Sequence, residues 1–310
     1  LSQGEHTIEF KFDYNKSSIE AESVYIESVD IMDIVSVPLD IAGIENPTIS
    51  NIDSDVFLYS PILYGRDLLS WNESTHTDIP IIMFYELEED EVSKKITYSL
   101  IFSNEDSRIG LGLADLMYSY GRATDIEWVY EVTLNSTGEI ISEIFQGPSH
   151  VTTNFTGEKI SKHPILKNAT LNCNFTDIGT SDYKFFLSPT LRFLEFLPTT
   201  LPSEDLDIPI GTREIIMDEN LWTYRIMGEE LINEQRYEEI PNPETLEMSD
   251  VRNYIYIQYL GDTLGENTSL DLAIKLYGGC DEYYHNHNTN EFSSSYYGGI
   301  KRTSIELPEN

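Results

Sequence analysis

The sequence predicts a mainly β fold, an antiparallel β-sandwich-like body with a few short helices in its connections. Two observations carry that expectation: apolar side chains repeat at every second position, and apolar stretches of helical length are scarce. A third bounds it. The chain has 310 residues, 40% hydrophobic and 12% aromatic, enough apolar side chain to close a core despite a formal charge of −35.

From the N-terminus, Ile8, Phe10 and Phe12 alternate with Glu9, Lys11 and Asp13, the pattern of a half-buried strand. Strands are further expected at 22–28, 56–60, 81–87 and 96–103. Ile126, Trp128, Tyr130 and Val132 then alternate with Asp125, Glu127 and Glu131. Asn135-Ser-Thr-Gly138 follows, and Ile140 to Phe145 resumes the apolar pattern, so the two strands read as a hairpin. Later strands are expected at 183–187, 253–260, 269–277 and 302–307. Apolar side chains on both faces of 254–260 suggest a central strand there. Helices are expected only at Leu191–Leu197, after Pro189, and at Met227–Gln235. Neither reaches the length of a crossover helix, which excludes doubly wound and α/β-barrel folds. The segment 198–211, with three prolines and three acids, is the best break in the chain. The expectation is one continuous unit over 1–310, with a subdivision into 1–200 and 210–310 across that connection.

Nineteen basic residues against 54 acidic ones exclude a nucleic-acid binder, since the field repels phosphate. No run approaches the ~20 apolar residues of a membrane span. The chain starts at Leu1 rather than methionine, which fits a secreted protein whose leader has been removed. Glycosylation sequons stand at Asn15, Asn72, Asn135, Asn154, Asn168, Asn174 and Asn267, about twice the number chance gives. The two cysteines, Cys173 and Cys280, have no metal-like spacing and are expected to form a disulfide that closes a long loop. The setting that results is extracellular.

Candidate chemistry falls in three places. Around Cys280, the run Asp281-Glu282-Tyr-Tyr-His285-Asn-His287 puts both imidazoles on one face of an extended chain, where with Asp281 or Glu282 they fit a transition metal. Asn51, Asp53 and Asp55, and the acids at Glu86–Glu91, offer the oxygen ligands of weak calcium binding. Asp125 and Glu127 share one face of a strand just after Arg122. There the pair can raise one carboxyl pKa, as a hydrolase requires, or can be ion-paired to the arginine. No nucleophile elbow, phosphate loop or dinucleotide fingerprint occurs, and His76, His150 and His163 stand singly. Trp71, Trp128 and Trp222 offer stacking surfaces for sugars.

The leading expectation is therefore a secreted acidic glycoprotein with a binding or structural role toward carbohydrate or a cationic partner. The alternative is an extracellular enzyme. It would be either a hydrolase using Asp125 and Glu127, with Arg122 beside them, or a metal enzyme using His285 and His287.

Overall fold

The computed structural model describes residues 54–66, 79–105, 112–189, 191–193, 213–242, 245 and 247–261, and, toward the C-terminus, 268–269, 273–274, 284–285, 295–296 and 299–307. The fold is mainly β. The expected strands at 6–14 and 22–28 lie outside the described residues, as do Asn51 and Asp53.

The first described element corrects the expectation for 56–60. Ser54–Leu58 is a short helix, α1, whose turn sets Val56 and Tyr59 three apart, both buried in the core. The strand comes later, at Ile62–Tyr64 (β1). Two long antiparallel strands follow, Pro80–Glu89 (β2) and Ser93–Phe102 (β3). A helix that the sequence pattern did not predict, Leu113–Tyr120 (α2), precedes the expected hairpin of Ile126–Asn135 (β4) and Ile140–Gly147 (β5). Val151–Asn154 (β6) completes a six-stranded sheet at one edge, with Leu191–Arg192 (β11) at the other, in the order β11-β2-β3-β4-β5-β6. Residues 191–192 are thus a strand parallel to β2, not the start of a helix.

A second sheet joins β1 to His163–Asn168 (β8) in parallel and to Lys184–Phe185 (β10) antiparallel. Lys159–Ile160 (β7) and Phe175–Thr176 (β9) both flank β8. One apolar cluster draws on both sheets, with Met83, Tyr85, Leu100, Phe102, Tyr130 and Val132 from the first and Leu63, Leu166 and Phe175 from the second. The alternate residues Ile82, Phe84, Ile101 and Ile126 face the other way. They pack on Ile216 and Met217 of a short helix at Ile215–Glu219 (α3). The central strands are therefore buried on both faces, which explains why they read as nearly continuous apolar runs.

The expected helix at Met227–Gln235 exists but begins earlier, as Trp222–Asn233 (α4). Its Met227 and Leu231 pack with Leu113 and Met117 of α2, Met248 and Tyr254. Tyr254–Gly261 (β12) pairs with Gly299–Glu306 (β17). Among the described residues this is a two-stranded ribbon, so β12 is not the central strand its two-sided pattern implied. Thr303 and Ser304 donate their hydroxyls to the last carbonyls of α2, at Tyr118 (2.6 Å) and Met117 (2.9 Å), tying the C-terminal ribbon to the middle of the chain. The remaining strands are two-residue pairs, Thr268–Ser269 (β13) with Ser295–Tyr296 (β16) and Ala273–Ile274 (β14) with Tyr284–His285 (β15).

Candidate functional site

The site grows from the start of β4. Asp125 immediately precedes the strand and Glu127 is its second residue, so period two sends both carboxyls to one side. Between the pairs Tyr98–Tyr130 and Ser99–Trp128 the register slips by one residue, a bulge at Val129. This slip ends the simple alternation: Tyr130 and Val132 stay in the main core while Trp128 is only half-buried.

Asp125 is 6% exposed. The Ile126 amide and the Cys173 thiol hydrogen-bond to its carboxyl, yet its Oδ2 has no partner. Burial, and then the Glu127 charge, hold its pKa well above the ordinary aspartate range. Arg122 and the thiol act in the opposite direction. Glu127 is also raised, chiefly by burial. Its Oε2 accepts a 2.5 Å hydrogen bond from Gln146 Nε2 on β5, and its Oε1 lies 3.6 Å from His150 Nδ1. Gln146 is 1% exposed. Its amide nitrogen is also 2.7 Å from His150 Nδ1, while its Oε1 has no partner. Glu105, just past β3, completes the cluster. Burial, reinforced by Asp125, pushes its carboxyl up to about 7.

Strained backbone surrounds these groups. Ser149, His150 and Cys173 all have positive φ, at 62°, 58° and 43°. Each such conformation costs a non-glycine residue about 1 kcal/mol or more and persists only where neighbours enforce it. The neighbours are visible here: the Ser149 amide donates to Asn174 Oδ1 at 3.1 Å, and the Asn174 amide donates to Thr170 Oγ1 at 3.0 Å. Asn172 Nδ2 lies 2.9 Å from His150 Nε2. Two corners from different sheets are thus locked together over the carboxyls.

Comparison with protein-family models, curated proteins and solved structures found no match.

Arg122 does not close on the acid pair. It forms an ion pair with Glu214 at 3.0 Å and donates to the Thr124 carbonyl, and only its field reaches Asp125 and Glu127. His285 is on β15 opposite Ala273, while His287, Asp281 and Glu282 lie outside the described residues. Among the described residues, no three His, Cys, Asp or Glu side chains are grouped to hold a metal by themselves. Cys173 is buried beside Asp125, and Cys280, its expected disulfide partner, lies outside the described residues. Of the sequons, Asn154 is exposed and Asn135 caps the β4–β5 turn. Asn168 and Asn174 are each 2% exposed, so a glycan on either would have to displace packed neighbours. Asn15, Asn72 and Asn267 lie outside the described residues, as does Trp71. Trp222 is half-exposed and lines a separate cavity of about 320 Å³ with Ile81, Leu187 and Leu191.

Sequence reading missed Glu105, Gln146 and Asn172, and named His150 only as a single histidine and Asn174 only as a sequon. One signal for two of them was present. The β4–β5 hairpin pairs Tyr130 with Phe145, so the chain after Phe145 must return past Glu127, carrying Gln146 and His150 with it.

Proposed function

We propose that this chain is a secreted acidic binding protein and that the Glu105–Asp125–Glu127 cluster recognises a cationic group. The observation that carries the reading is the pair of buried acceptors without donors, Asp125 Oδ2 and Gln146 Oε1, set among three carboxyls. Buried acceptors without partners cost about 1–3 kcal/mol each, and a bound cation or donor removes that cost. The net charge of −35 acts in the same direction, concentrating cations near the surface. The test is a titration with calcium, magnesium, methylguanidinium and butylammonium, followed in the amide resonances of Gln146 and His150. Saturable shifts with one of these, lost in Asp125→Asn, support the reading. Flat titrations with all four reject it.

A second reading is favoured by one specific feature, the two carboxyls of Asp125 and Glu127 raised by burial above their ordinary range on one strand face, the arrangement of acid–base hydrolysis. In that case a panel of aryl glycosides and esters should reveal turnover that Glu127→Gln lowers at least 100-fold. The extracellular setting rests on the sequons and the cysteine pair. Glycan removal from material of its own source should lower the mass; thiol labelling of the unreduced, unfolded chain tests the Cys173–Cys280 bridge, which would replace the hydrogen bond of the Cys173 thiol to Asp125.

A further inference from the structure

We infer that Asn154 carries an N-linked glycan and that this glycan shields the free edge of the six-stranded sheet. The inference rests on the extracellular reading above and adds to it one site and its purpose. Among the described sequons, Asn154 alone combines exposure with an uncommitted amide. It ends β6, whose four residues are all exposed. The next residue, Phe155, turns inward with its ring 5.7 Å from that of Tyr130, so the alternation of the chain sends Asn154 outward. Its side-chain amide makes no hydrogen bond among the described residues. Asn135 instead commits both ends of its amide to the β4–β5 turn, accepting from Thr137 and Glu139 and donating to Glu139 Oε2 at 2.9 Å. Asn168 and Asn174 are each 2% exposed. A sugar joined to either before folding would have to enter the packed interior, so the chains that fold are those bare at both. At Asn154 the amide nitrogen attacks the anomeric carbon of a lipid diphosphate-linked oligosaccharide. A nitrogen–carbon bond forms and the bond from that carbon to the phosphate oxygen breaks. Its electron pair leaves on the lipid diphosphate, and the amide gives up one proton to water.

The edge explains what a glycan does there. Strand β6 is hydrogen-bonded to β5 on one side and, among the described residues, has no strand on the other. Open edges are ordinarily guarded by a charge, a proline or a bulge. Val151-Thr-Thr-Asn154 has neither charge nor proline, in a chain that is 24% charged. Its register with β5 runs unbroken from Asn154–Ile144 to Val151–Gly147, so no bulge turns it away. Val151 is 58% exposed, and Ile141, on β5 beyond the end of β6, is 61% exposed, so the edge is apolar as well as open. The net charge of −35 does not replace a guard on the strand itself, because at physiological salt repulsion is screened beyond about 8 Å. From Val151 to Asn154 the strand covers about 10 Å, within reach of a core oligosaccharide. Stripped of it, two copies can pair edge to edge.

The test has two arms. In the first, glycans are released enzymatically from protein of its own source in heavy-oxygen water, which marks each occupied asparagine in its peptide. Asn154 should be marked, and Asn168 and Asn174 should be bare. Glycan at other sequons with Asn154 bare overturns the inference while leaving export in place, and no glycan anywhere overturns both. Sugar on Asn168 or Asn174 in the folded protein overturns the assignment too. In the second arm the chain is secreted from a glycosylating host and sized by light scattering at physiological salt, as native chain, Asn154→Gln, and Asn154→Gln with Thr152→Lys. The native chain should be monomeric and Asn154→Gln should at least double in mass. Thr152→Lys, which sets a charge on the bare edge, should restore the monomer. Glycan removal from the folded native glycoprotein gives the same comparison without relying on how a variant folds. A stripped chain that stays monomeric would show that the edge needs no shield and would overturn the inference. Association that Thr152→Lys does not relieve would place the contact elsewhere, with the same result.

Discussion

At the scale of single residues, the buried ionisable groups oppose one another. Asp125, Glu127 and Glu105 have folded-state pKa values raised above their ordinary ones, so the folded chain holds protons that the unfolded chain releases. Stability is therefore lost as pH rises from the ordinary carboxyl range toward about 7. His163 acts in the reverse sense. It lies between the edges of Phe57 and Phe186, with Nδ1 2.8 Å from the Ser60 carbonyl, and burial lowers its pKa. Its contribution is present above 6.5, the ordinary histidine value, and is lost as pH falls below it. In metal-free buffer, Asp125→Asn should raise unfolding stability at pH 8 by about 1–3 kcal/mol, because it removes a buried charge without removing volume. It should have little effect at pH 5. Denaturant titrations at the two pH values check this, and an equal effect at both would show that Asp125 has an ordinary pKa. His163→Leu should in turn flatten the stability loss below pH 6, measured the same way.

At the scale of elements, glycine placement decides where α2 stops. Gly121 has φ +66° and its amide bonds back to the Met117 carbonyl at 2.9 Å, a left-handed helix cap. A Cβ there would stand 3.2 Å from the Thr303 carbonyl, on the strand that α2 packs against. Gly121→Ala should therefore destabilise the protein by about 1–2 kcal/mol, from the strained φ and the close approach together. A neutral result in thermal unfolding would show that β17 yields at that point. The β4–β5 hairpin was legible because Asn135 and Gly138 carry their conformational meaning in their residue types. Asn135 Oδ1 accepts from the Thr137 and Glu139 amides, and Gly138 supplies φ +78°. Helix α2 was not legible. Leu113-Ala-Asp-Leu-Met-Tyr is buried on nearly every side, so it lacks the polar stripe that marks a helical period. Helix α1 was misread for a related reason, since five residues cannot distinguish a period of two from one of 3.6. The acid pair at Asp125 and Glu127 was visible as a strand motif. Its burial was not, because Cys173 reaches Asp125 from the loop before β9 and no local pattern reports that contact.

At the scale of the whole molecule, the charge of −35 sets the response to salt. Two effects compete. Exposed ion pairs such as Lys95–Glu88, Arg225–Glu229 and Arg252–Asp250 are weakened by added salt, but each contributes at most about 1 kcal/mol. Against them stands the mutual repulsion of an excess of 35 acids over bases, spread over the whole chain and relieved on unfolding. Screening shortens the reach of that repulsion from about 30 Å at 0.01 M salt to about 10 Å at 0.1 M. Pairs in contact feel this change least, whereas acids spaced widely over the surface feel it most. Repulsion is therefore the larger quantity removed. The Tm should rise as sodium chloride increases from 10 to 300 mM, at a fixed pH of 7.5 and without divalent ions. The rise should flatten once the screening length falls below the typical spacing of surface acids. Sodium sulfate at matched ionic strength separates screening from the general stabilising action of excluded salts. If chloride lowers the Tm, the paired groups outweigh the unpaired acids, and the acidic surface is more completely neutralised than the composition implies.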